Sequence, residues 1–151
     1  MGSRLLTYLS VVGLSFWLGG IAFYGGVVIP QAHELLDSHR EIGFVTRAVT
    51  ATANAIGAAV LATLLARLGV SWRRMGRGDR IAAASTLGIM IAAQIALFLL
   101  RAHLDAMLDP AAMTIADRAR FMPLHERYLN VTSVLCVAAL AHLWVILKPS
   151  T

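Results

Sequence analysis

The sequence predicts an all-α integral membrane protein, an antiparallel four-helix bundle with a short amphipathic helical cap between helices 3 and 4. Three observations carry this: the composition, four apolar runs of membrane-spanning length, and the placement of arginines between them. Of 151 residues, 58% are hydrophobic and 14% charged, and the mean hydropathy is +0.72. Soluble domains carry about a quarter charged residues. A soluble fold of this size buries only about two thirds of its chain surface, so this much apolar sequence would leave greasy surface in water. The formal charge of +5 does not point to nucleic acid. The basic residues bracket apolar runs, and aromatics do not interleave with them as on a base-stacking surface.

A helix crosses the hydrocarbon core with about 20 apolar residues. The first candidate span runs over residues 5–29 and is expected to stop at Pro30. Its apolar stretch is too long for a signal peptide and no small-x-small cleavage site follows it, so an uncleaved helix is expected. The second span covers 48–68, the third 81–100, and the fourth 128–147, ending at Lys148-Pro149. None has the apolar/polar alternation of a barrel wall. All belong to one transmembrane domain, residues 1–151.

Arginine placement sets the orientation. The connection between spans two and three holds Arg67, Arg73, Arg74, Arg77 and Arg80 against Asp79, with Arg4 and Lys148 on the same side. The Pro30–Gly43 connection sets Arg40 against Glu34, Asp37 and Glu41. Both termini are therefore expected in the cytoplasm of a bacterial inner membrane, with the two mixed loops facing outward.

Lipid gives helices no hydrophobic reason to associate, so small residues are expected at their contacts. Ser15, Gly19, Ala22 and Gly26 form one such stripe, Ala51, Ala55, Ala58 and Ala62 a second, and Ser85, Gly88, Ala92 and Ala96 a third. In the long connection, Asp109-Pro110 is expected to start a short helix, and Asp117–Phe121 to continue one before Pro123. With Leu104, Met107, Leu108, Met113, Ile115 and Met122, this segment is amphipathic enough to lie at the interface.

Topology gathers His33, Glu34, His103, Asp105, His125 and Glu126 at the outer face. Arg47 with Asn54, Gln94 with Arg101, and Glu126 with Asn130 and Ser133 sit on single helix faces leading into the bundle. Polar groups at such depths are costly in lipid and are expected to point toward one another. Three uses of this pocket compete. The first is a metal site of His33, His103, His125, Met107, Met122 and Glu126; imidazole with thioether suits Cu(I), and His with carboxylate suits zinc. The second is a haem or chlorophyll held through His142 or His103, with Trp17, Phe16, Phe23, Tyr24 and Phe98 as walls. The third is a structural network, in which Arg47 and Arg101 pair with Glu34, Asp105 or Glu126 while Asn54 and Asn130 add hydrogen bonds. The single cysteine, Cys136, lies in an apolar run and supports no disulfide or CxxC site.

The sequence lacks a nucleophile elbow, Walker loop, Rossmann fingerprint or zinc-protease helix, so no enzyme is expected. Several stretches carry a likeness: Trp17-Leu18-Gly19-Gly20, Phe23-Tyr24-Gly25-Gly26-Val27-Val28-Ile29-Pro30, Gly43 to Thr50 with Asn54, His103-Leu104-Asp105, Ile115 to Arg118, and His125 to Leu129. In these the chain resembles a bacterial family of small four-helix membrane proteins of unknown function, distantly similar to the membrane domain of copper-resistance protein D. That resemblance implies a four-helix membrane fold and adds weight to copper. The expected function is a non-enzymatic inner-membrane protein with an outward-facing pocket that binds or handles a metal such as copper. The alternative is an accessory subunit of a larger respiratory or photosynthetic complex, ligating a haem or chlorophyll; a lipid or quinone enzyme is a third reading. The expected partners are the bilayer and further copies or subunits.

Overall fold

A computed structural model describes residues 2–35, 39–109 and 114–148. Four of its helices are long and apolar enough to cross a membrane: Arg4–Leu35, Ile42–Arg74, Arg77–Asp105 and Arg118–Leu147. Each continues past the apolar run that announced it. The first comprises α1 (Gly2–Phe23), a π-helical turn (Tyr24–Val28) and α2 (Ile29–Leu35) without a break. The helix therefore does not stop at Pro30. A proline ring clashes with the carbonyl four residues back and lacks an N–H. The π turn widens the helix there, and the Ile29 N–H bonds the Tyr24 carbonyl instead. Gly25 and Gly26 form the turn with no heavy atom nearby that a Cβ would meet.

The second long helix is α3 (His39–Ser71), closed by a 3₁₀ turn at Trp72–Arg74. After Gly76, in extended conformation, α4 runs over Arg77–Asp105. The last helix, α5 (Arg118–Leu147), starts at Asp117, whose carboxylate accepts the Arg120 N–H at 3.1 Å. This satisfies one of the orphan donors of a helix start.

The connection from α4 to α5 departs from the expected cap. Strand β1 (Leu108–Asp109) pairs antiparallel with β2 (Thr114–Ile115), Leu108 opposite Ile115 and Asp109 opposite Thr114. Residues 110–113 between them, with Pro110 and Met113, lie outside the described residues, as does Asp37 of the first connection. β-Branched Thr114 and Ile115 favour extended backbone, and Asp-Pro opens turns as readily as helices. The stretch Asp117–Phe121 is the cap and first turn of α5 rather than a separate helix, and Pro123 lies inside α5.

Contacts between helices run in opposite order along neighbouring helices. Thr7 meets Arg67, Trp17 meets Ala53 and Tyr24 meets Thr46, so α1 and α3 are antiparallel. Arg47 meets Asp105 and Asn54 meets Gln94, so α3 and α4 are too. Thr86 meets His142 and Asp79 meets Lys148 across α4 and α5. Large side chains fill the centre: Leu14, Leu64, Leu87, Met90, Leu97 and Leu135 are fully buried.

The expected small-residue contacts are not where the helices meet. Ser15, Gly19, Ala22 and Gly26 are all exposed, as are Ser85, Gly88, Ala92, Ala55 and Ala62. Along α4 the buried residues are Ala83, Leu87, Met90, Ala93, Gln94, Leu97 and Leu104, most of them spaced like the inward positions of a coiled coil. Interdigitated Leu and Met supply the dispersion contacts that packing needs. Small residues outside the expected stripes do sit in the core: Ala83, Ala93, Ala138 and Ala139 are buried, and at Gly57 a Cβ would stand 2.8 Å from both the Trp17 ring and Gln94 Oε1.

Candidate functional site

Two polar clusters lie within the bundle. The first begins near the helix midpoints and rises to the end formed by the start of α3 and the end of α4. At its base the Trp17 indole N–H donates to the Ala53 carbonyl at 2.8 Å, crossing from α1 to α3. The close approach requires the bare backbone of Gly57 one turn on. The Gln94 amide donates to the Asn54 carbonyl at 3.4 Å. Asn54, 4% exposed, donates through Nδ2 to the Tyr128 hydroxyl at 3.1 Å, and that hydroxyl lies 3.4 Å from Asn54 Oδ1. Four helices thus share one polar layer in an otherwise apolar centre. A buried amide or phenol costs free energy unless paired, which binds each helix to the register of the others.

Above this layer sits Asp105. Its Oδ1 accepts from Arg47 Nε at 2.9 Å, and its Oδ2 lies 3.2 Å from Arg101 Nη2, one turn back on α4. All three side chains are about a quarter to a third exposed. Two guanidiniums against one carboxylate leave the group with a net positive charge. Of the carboxylates expected to serve these arginines, Asp105 serves both. Glu34 and Glu126 are exposed and join no ion pair among the described residues, and Asn130 faces outward beside Arg127 in a groove of about 420 Å³ between α4 and α5.

The proposed metal ligands are spread over separate helix surfaces. His33 Nδ1 lies 2.9 Å from the Ile29 carbonyl, and His103 Nδ1 lies 2.8 Å from the Leu99 carbonyl. Both rings are exposed and turned back along their own helices. The His125 ring stacks on Phe121, with centroids 5.9 Å apart. Met107 is half-buried at the hairpin, while Met122 and Glu126 are exposed on α5. Among the described residues, no group of three His, Cys, Asp or Glu side chains is arranged to hold a metal ion.

The second cluster lies toward the opposite end, where α3 closes and α4 begins. His142 is 1% exposed, and its Nδ1 lies 2.7 Å from Thr86 Oγ1. That hydroxyl also lies 2.8 Å from the Ala82 carbonyl, which can only accept. The single hydroxyl proton therefore goes to Ala82, and we assign the imidazole hydrogen to Nδ1. His142 Nε2 is left as a bare acceptor, buried and without a hydrogen-bond partner; Ser10 Oγ on α1 is likewise buried and unpartnered. Nearby, Arg67 Nε donates to Thr7 Oγ1 at 3.3 Å.

The aromatic residues expected to line a tetrapyrrole pocket do not converge. Trp17 points inward, Tyr24 donates to Thr46 Oγ1 at 3.0 Å, and Phe16, Phe23 and Phe98 are exposed. Sequence reasoning passed over Tyr128, Gly57 and Thr86. Tyr128 marked only the start of a span, yet a phenol directly after Arg127, where the apolar run of the helix begins, needs a partner and is a legible signal. Gly57 and Thr86 gave none, since helical Gly and Thr are common in membrane proteins. No protein-family model, no curated protein and no solved structure matches this chain.

Proposed function

We propose that this chain is a non-enzymatic, multi-pass protein of the bacterial inner membrane that serves as a subunit of a larger membrane assembly. In this reading both termini and the arginine-rich connection face the cytoplasm, as the distribution of basic residues favours. The observation that carries the subunit role is the outer face of the first long helix, α1 with the π turn. Ser15, Gly19, Ala22 and Gly26 point away from the chain's own core, and no heavy atom lies near Gly19 or Gly26 that a Cβ would meet. Phe16 and Phe23, both exposed, flank this shallow strip. Such a strip lets another helix approach closely in lipid, and the exposed rings supply packing surface.

The copper reading has no comparable support, because His33, His103 and His125 each engage their own helix. The polar layers are better read as devices that fix helix register, leaving α1 available for a neighbour.

The test is migration in mild detergent. The wild-type chain is expected to run as an assembly, either with stoichiometric partner subunits or with further copies of itself. Gly19→Leu adds bulk where the chain's own fold has open space, so it is expected to release a stable, helical monomer. A wild-type chain that runs as a monomer from its native membrane, or an assembly indifferent to Gly19→Leu, would overturn the reading. Stoichiometric copper retained through purification would restore metal handling as the better account.

A further inference from the structure

At the arginine-rich end, the 3₁₀ turn and the first turns of α4 enclose a groove of about 500 Å³ lined by Trp72, Arg77, Arg80, Ile81, Ala84 and Ser85. We propose that this groove is a binding site for an anionic glycerophospholipid, with its phosphate held by Arg77 and Arg80 and an acyl chain lying along α4. The proposal rests on the membrane reading above.

The groove is graded in chemistry along its length. At the top are two guanidiniums. Arg80 is fixed on two sides: its Nε donates to the Met75 carbonyl at 2.9 Å, and its guanidinium carbon lies 5.7 Å from the Trp72 ring centroid. The cation–π contact and the Nε hydrogen bond restrain the guanidinium and leave its terminal N–H groups as donors. Arg77 joins no ion pair among the described residues. The nearest acid in sequence, Asp79, is engaged by Lys148 at 3.7 Å. Positive charge in the groove is therefore not cancelled by the chain itself.

Below the guanidiniums the wall becomes apolar. Ile81, Ala84 and Ser85 lead on to Gly88 and Ala92, all on one outward face of α4. The small side chains leave a furrow that suits an alkyl chain, and exposed Ile89 and Ile95 stand near it. A soluble phosphate would use the guanidiniums and leave the furrow empty. An amphiphile with a negative head uses both. Trp72, 41% exposed at the helix end, is the residue type that settles at the headgroup level.

The experiment is native mass spectrometry of the purified full chain in detergent. It is titrated with dioleoylphosphatidylglycerol or dioleoylphosphatidylcholine. Arg77→Gln/Arg80→Gln is compared with Arg73→Gln/Arg74→Gln, which removes equal charge from the same connection but outside the groove. The glycerol lipid is expected to bind in preference to the choline lipid. The groove variant is expected to lose roughly thirtyfold in affinity, as two basic contacts to an anionic headgroup imply, while the control pair loses less than about threefold. Equal losses in both pairs would mean diffuse attraction, and binding undiminished in the groove variant would mean another site; either overturns the proposal. So would full competition by inorganic phosphate, which would make the site one for a free anion. Circular dichroism of each variant verifies the fold. Alkaline carbonate extraction separates the two readings: a chain released from membranes sinks the membrane reading itself, whereas a retained chain with unchanged lipid binding sinks only this site.

Discussion

Gly57 illustrates how a residue without a side chain sets the chemistry of its neighbours. The indole of Trp17 and the amide of Gln94 both lie where a Cβ at this position would stand, 2.8 Å from each. Gln94 can swing its amide aside, but the ring is held by its hydrogen bond to Ala53. Gly57→Ala is therefore expected to destabilise the chain by about 1–3 kcal/mol through overpacking, although alanine is the better helix former. Thermal unfolding in detergent, followed by Trp17 emission and circular dichroism, measures this. A stability equal to wild type would mean that α1 and α3 separate freely and that the Trp17–Ala53 bond contributes little. The buried His142 poses the opposite case, a side chain with one atom too many for its surroundings. Its position in span four was plain from the sequence, but its Thr86 partner was not, because a helical threonine ordinarily returns its hydroxyl to its own backbone.

For the elements, the decisive contacts are those that tie α3 to α4. Asp105 closes the last turn of α4 and receives both Arg47 and Arg101. Partial exposure weakens each pair by solvent screening, yet removing the carboxylate leaves two like charges facing each other. Asp105→Asn is expected to cost about 2 kcal/mol, between the ranges for exposed and buried pairs. The double variant Arg47→Gln/Asp105→Asn is expected to cost less than the sum of its single changes, because each single change already breaks the shared contact. Additive losses in denaturant or heat would remove the coupling. Of these elements, the four long helices were legible because apolar runs of about 20 residues have few alternatives. Their ends were not. The stretches His39–Gly43 and Arg118–Arg127 mix charged residues with a few apolar ones, too sparse to read as membrane span, although the helices continue through them. The hairpin was missed because Asp-Pro followed by apolar residues reads equally as a helix start. The faces were misread for a physical reason as well: small residues mark where a backbone can be approached, without specifying whether the approaching helix belongs to the same chain.

At the scale of the molecule, charge is distributed by end. Arg67, Arg73, Arg74, Arg77 and Arg80 gather at one end against Asp79, while at the other Glu34, Asp105, Asp109, Asp117 and Glu126 are matched by Arg47, Arg101, Arg118, Arg120 and Arg127. This asymmetry predicts a fixed orientation in the membrane. With Cys136 replaced by serine, a cysteine introduced at Arg73 is expected to resist a membrane-impermeant maleimide in intact cells. One introduced at Asp109 is expected to react. The reverse pattern, or labelling of both, would overturn the proposed topology.

The π turn has a consequence for the far end of the first long helix. An extra residue in a single turn shifts the angular phase of everything beyond it by about 100° about the axis, relative to an uninterrupted α-helix. His33 and Glu34 face the directions they do because Tyr24–Val28 absorbs that offset and Tyr24 pins the turn to Thr46. Deleting Gly25 would restore regular winding, bring Pro30 back against a carbonyl four residues behind, and swing α2 round like a key turned in its lock. The segment Ile29–Leu35 is thus indexed to the rest of the bundle by one surplus glycine.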